Sequence, residues 1–123
     1  MSKLIYVALG GAAGAVARYL VGVGALRSLG PHWPYGTFAV NLIGGFLMGL
    51  LAGYLAHRGG ADQERWRLLL GVGLLGGFTT FSTFSLETVR LMQHQAGLAA
   101  LYVAASMALS IGACWAGLSL GRI

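Results

Sequence analysis

Thr79, Thr80, Ser82, Thr83 and Ser85 share one ten-residue run, GGFTTFSTFS, with Phe78, Phe81 and Phe84. Hydroxyls and freed backbone amides donate hydrogen bonds to an anion, and freed carbonyls hold a hard cation. A phenyl ring adds a positive edge that faces an anion without supplying a trapping charge. The same hydroxyls compete for backbone groups, and Gly76 and Gly77 precede them, so the run predicts a break in whatever helix contains it. The phenylalanines recur at steps of three, which lets at least two share a face; taken alone, they are better explained as lipid-facing rings.

Two further polar patterns accompany this run. Thr37 and Asn41 lie four apart and head the helical face that carries Gly45, Gly49 and Gly53. Tyr102, Ser106, Ser110 and Cys114 also fall at steps of four and make one polar stripe. A lone serine in an apolar helix bonds its own backbone; four polar residues in register are a candidate track for an ion. Arg18 stands alone in an apolar stretch, where it either snorkels to an interface or serves a site.

The elements that position these residues follow from composition. The chain is 57% hydrophobic and 9% charged, against about 25% charged in an ordinary soluble domain, and its mean hydropathy is +0.75. Charge is missing between Arg27 and Arg58, between Arg67 and Glu87, and between Arg90 and Arg122. Since about 20 apolar residues cross the hydrocarbon, the sequence predicts an all-α membrane protein of four transmembrane helices, over 3–27, 35–57, 67–92 and 96–121, in one domain spanning 1–123. The third helix is expected to be broken. Between the spans lie SLGPHWP, HRGGADQER and QHQAG, which are loop chemistry and too short for an extramembrane domain. The first helix lacks a clean apolar core followed by a small-residue cleavage site, so it is expected to stay in the protein.

The net charge of +5 sits as single cations at helix ends, which marks membrane flanks and not a nucleic-acid surface. Lys3, Arg58, Arg65, Arg67 and Arg122 fall on one side and Arg27 and Arg90 on the other, which favours cytoplasmic termini. The single cysteine, Cys114, rules out an intrachain disulfide. Glycines four apart, Gly10 and Gly14 ahead of Arg18, then Gly45, Gly49 and Gly53, let helices approach closely and point to a tightly packed oligomer.

An enzyme is not expected: His32, His57 and His94 are separated and fall at helix ends or loops, no acid and histidine flank a serine, and no metal-ligand spacing occurs. The alternative function is a proton-coupled transporter of the small multidrug-resistance type. That chemistry needs a carboxylate in the bilayer, whereas the acids are Asp62, Glu64 and Glu87, the last placed to pair with Arg90 at i+3. A purely structural membrane subunit would explain the glycines but not the polar stripe.

GGFTTFSTF, with GGAAGAVARY at 10–19 and YGTFAVNLIGGFLMG at 35–49, resembles the CrcB/Fluc family of bacterial fluoride channels across all four spans. The resemblance implies an antiparallel, dual-topology homodimer in the inner membrane that passes fluoride through two pores, letting cytoplasmic fluoride leak out and so reducing its toxicity. It also implies a structural sodium ion at the dimer centre. By the same resemblance Phe81, Phe84 and Asn41 line the fluoride path; Thr37, Tyr102, Ser106 and Ser110 form its polar track; Arg18 serves the vestibule. Gly76 and Thr79 would hold the sodium through their backbone carbonyls, two from each subunit.

Overall fold

In the computed structural model, residues 2–58, 60 and 63–123 are described. Asp62, one of the acids named above, lies outside them, as do the side chains of His57 and Arg58. Helix α1 spans Ser2–Leu29, α2 Tyr35–Arg58, α3 Gln63–Trp66, α4 Gly76–Phe78, α5 Ser82–His94 and α6 Ala96–Gly121; a π-helical segment over Arg67–Leu75 joins α3 to α4. Four spans are long and apolar enough to cross a membrane: Ser2–Leu29, Tyr35–Ala56, Gln63–His94 and Ala96–Gly121. The described residues contain no strand.

Local chemistry sets the ends. Gly30, at φ +85°, closes α1 by returning its N–H to Leu26 O at 3.0 Å, a left-handed cap that a glycine adopts without steric cost. Pro31 follows and cannot continue the helix. Pro34 then starts α2, its carbonyl accepting the Phe38 N–H at 3.0 Å. At the start of the third span, Arg67 and Glu64 pair at 2.8 Å on the surface, where such a pair contributes little.

The most extensive helix pairing is α2 with α6, and glycines make it possible. Gly45 sits against the Ser110 carbonyl, Gly49 against that of Cys114 and Gly53 against that of Leu118; in return Gly117 and Gly121 take the carbonyls of Phe46 and Leu50. On the other side, Gly10 and Gly14 of α1 lie directly on the backbone of Gly73 and Leu74 in the third span. The close approaches of these glycines are made within one chain, so they account for packing inside the subunit. Large apolar residues such as Leu4, Leu9, Leu20, Ile111 and Trp115 point outward, the arrangement of a protein whose surroundings are hydrocarbon.

The third span is interrupted as expected, with an unforeseen prelude. Before the break the helix widens to π geometry, and the Gly76 N–H reaches back to the carbonyls of Gly71 and Gly73. Such widened turns gather at functional sites. Thr79 then swings to extended geometry, φ −84° and ψ 161°, and helix resumes at Ser82. The span begins at Gln63, four residues before the expected start at 67.

Candidate ion site at the helix break

The hydroxyls of the run hold the break in shape. Thr79 Oγ1 donates to Leu75 O at 3.0 Å and Ser85 Oγ to Phe81 O at 2.9 Å, each bonding back one turn along its own chain. Thr80 Oγ1 accepts the Thr83 N–H at 3.2 Å, satisfying one of the free amides in the first turn of α5.

Asn41, from α2, holds the next residue, Thr80, from the side. Its Nδ2 donates to Thr80 O at 3.0 Å, and its Oδ1 accepts the Thr80 N–H at 2.9 Å. A backbone unit deprived of helical partners thereby finds both of them in one side chain. The second Nδ2 hydrogen takes no part in these two bonds, and Asn41 lines the adjacent cavity.

These diversions have a direct effect on two carbonyls. In a continuous helix the Thr80 and Thr83 N–H groups would bond Gly76 O and Thr79 O. Here they go to Asn41 Oδ1 and Thr80 Oγ1. The carbonyls of Gly76 and Thr79 are left to seek another partner, and Gly76 is exposed on the outside of the chain. Between them the Gly77 carbonyl accepts from Arg18 Nε at 3.1 Å.

A cavity of about 360 Å³ opens beside the break. It brings together Asn41, Gly76, Thr79, Phe81, Phe84, Ser106 and Ser110, with Thr80, Met107 and Ile111 completing the wall. The described residues lining it include no ionised side chain. The Phe81 and Phe84 rings lie 5.7 Å apart and tilted by 42°; Phe84 is 8% exposed and Phe81 72%. Phe78, the third ring of the run, lies before the break, near Gly44. The hydroxyl oxygens of Ser106 and Ser110 are buried with no hydrogen-bond partner among the described residues. Buried hydroxyls in a native protein are normally bonded, so these two point to something that the lone chain does not supply.

Thr37 and Tyr102 lie apart from this cavity. Thr37 lines a second, larger one of about 690 Å³, together with Glu87, Arg90, His32 and His94. Tyr102 is fully buried between the two, its ring 5.1 Å from Phe84 and its hydroxyl donating to Glu87 Oε1 at 3.3 Å. Among the described residues Glu87 and Arg90 form no direct salt bridge, though Arg90 still acts on the carboxylate electrostatically; Tyr102 and Thr37 bond it instead. Cys114, the last member of the stripe, does not line the cavity. Arg18 belongs to neither cavity wall, and among the described residues its side chain bonds the break, at Gly77 O.

The described residues hold no group of three or more His, Cys, Asp or Glu able to bind a metal, so a cation here would depend on carbonyls. The sequence pattern described as "CrcB-like protein, Camphor Resistance (CrcB)" matches residues 5–118. The chain belongs to the CrcB family. Similar members include a protein of Phenylobacterium zucineum, 66% identical over 99% of this chain and 97% of its own. One of Caulobacter vibrioides is 63% identical over the same shares, and one of Agrobacterium fabrum 54% identical over 99% and 98%. Each of these CrcB relatives is named a fluoride-specific ion channel, FluC.

Sequence reasoning missed three things about this CrcB chain: the grip of Asn41 on Thr80, the hold of Arg18 on Gly77 and the partnership of Tyr102 with Glu87. Only the first carried a signal, since an asparagine at membrane depth needs partners for both ends of its amide.

Proposed function

We propose that this chain is a fluoride-selective ion channel that lets cytoplasmic fluoride leave passively and so reduces its toxicity. It is a multi-pass bacterial membrane protein and not an enzyme. The observation that carries the reading is the cavity at the break, where unpartnered hydroxyls of Ser106 and Ser110 meet the rings of Phe81 and Phe84 and the Asn41 side chain. Desolvating a small anion costs tens of kcal/mol in a low dielectric, so each lost water must be replaced. Hydroxyl, amide and ring edge replace it in steps, and none binds so tightly that the ion cannot leave. Thr37 and Tyr102 continue this track toward the larger cavity.

The same proposal includes an antiparallel homodimer with a structural sodium ion. Support comes from Phe81, a large apolar ring 72% exposed within a membrane span and lining the cavity. The Gly76 and Thr79 carbonyls, deprived of helical donors, are a fitting set for a hard cation. Bound there, sodium would supply a fixed positive field and join the two breaks.

The test is efflux from liposomes containing the purified protein, read in parallel with fluoride and chloride electrodes and without a pH gradient. Fast fluoride efflux without chloride is expected. A requirement for a pH gradient would instead favour a proton-coupled transporter, and efflux of neither ion would overturn the channel reading for this chain alone.

A further inference from the structure

A charged side chain at membrane depth is retained for a specific partner, and that of Arg18 is backbone. Its Nε donates to Gly77 O, between the two carbonyls already left without helical donors. The register that brings it there is tight. Gly10, Gly14 and Arg18 follow at steps of four on one face of α1, and a Cβ at Gly14 would strike the Leu74 carbonyl and lie 2.8 Å from the Phe78 nitrogen. Helix α1 therefore cannot slide, and Arg18 meets the break at one height. Because a peptide unit is planar, fixing the Gly77 carbonyl fixes the whole plane that joins Gly77 to Phe78. That plane lies in α4, three residues long, which carries Gly76 at one end and leads into Thr79 at the other.

We infer that Arg18 is a positioning residue for the cation site. It withdraws the Gly77 carbonyl from the set of possible ligands and holds those of Gly76 and Thr79 in place for the ion. The inference rests on the sodium reading above, and it has a distinct sign. As a bare charge, Arg18 would repel a nearby cation, so removing it would tighten sodium binding; as a clamp, its removal loosens it.

The experiment uses the purified full-length protein prepared in sodium-free N-methylglucamine buffer. Thermal unfolding is followed against sodium concentration, and sodium retained after gel filtration is read by atomic emission. Wild type is expected to retain sodium and to unfold at higher temperature as sodium rises. Arg18→Met is expected to need about tenfold more sodium for half that rise, the equivalent of one charge-assisted hydrogen bond. Arg18→Lys keeps the charge but loses the planar fork, and is expected to fall between the two. An unchanged or lower sodium requirement in Arg18→Met overturns the clamp, as does Arg18→Lys behaving as wild type. Should Arg18→Met elute as aggregate, Arg18→Lys decides by the same criterion. A wild type that neither retains nor responds to sodium removes the sodium reading itself, and the clamp with it.

Discussion

Asn41 and Thr80 meet through both ends of the asparagine amide, at 3.0 Å and 2.9 Å, so that one side chain stands in for two helical neighbours of a residue that has left the helix. Aspartate keeps the acceptor but lacks the donor, alanine lacks both, and glutamine carries its amide one methylene too far. Asn41→Ala is expected to lower stability by about 1–3 kcal/mol, the cost of leaving partly buried backbone groups unpaired, and to abolish fluoride efflux. Asn41→Gln is expected to restore neither property. Thermal unfolding and electrode-monitored efflux on the same preparation check both.

The two pore rings differ in burial, which separates their roles. Phe81→Ile is expected to stop fluoride efflux while leaving the packing within its own subunit unchanged, because the ring is 72% exposed there. Phe84→Ile is expected to stop efflux as well and to destabilise by about 1–2 kcal/mol, since that ring is 8% exposed and lies on Tyr102. Wild-type flux in both variants would remove the phenylalanines from the mechanism.

Ser106 and Ser110 present the reverse case. Their hydroxyls have no partner in the described chain, so Ser106→Ala and Ser110→Ala are expected to leave stability unchanged or slightly raised while each lowers efflux about tenfold, the value of one hydrogen bond to an ion. Lost stability with full efflux would mark them as structural instead.

Glycine is required where backbones touch and dispensable where they do not. Gly49→Ala would drive a methyl into the Cys114 carbonyl, whereas a methyl at Gly112 meets nothing within 4 Å. Gly49→Ala is expected to cost about 1–3 kcal/mol as overpacking, and Gly112→Ala to be neutral. Parallel melts of the two purified variants make the comparison.

Four spans and the interruption near Thr79 were legible in the sequence because charge-free stretches and clustered hydroxyls are local signals. The family resemblance grouped Asn41, Phe81, Phe84, Thr37, Tyr102, Ser106 and Ser110 along one path; the structure gathers Asn41, Phe81, Phe84, Ser106 and Ser110 around one cavity and leaves Thr37 and Tyr102 outside it. What stayed hidden depends on contacts between elements distant in the chain. Nothing local to Arg18 says that it reaches Gly77, and Glu87 looked like the partner of Arg90 because helical spacing alone cannot see Tyr102 on another helix. The π-helical widening before Gly76 was equally silent, since RLLLGVGLL reads as ordinary apolar helix. The glycine columns were legible as close packing, but the pattern does not say whether the neighbour belongs to the same chain.

The interlocked glycines of α2 and α6 also constrain the order in which the protein is made. The two faces that fit most closely are separated by the entire third span, so a growing chain has its second helix in the bilayer, with Gly45, Gly49 and Gly53 uncovered, until synthesis has passed that span. Only then does α6 arrive to fill that seam. A chain truncated before Ala96 would carry every residue of the helix break and still lack the surface against which α2 settles, so α6 is the helix that closes the subunit.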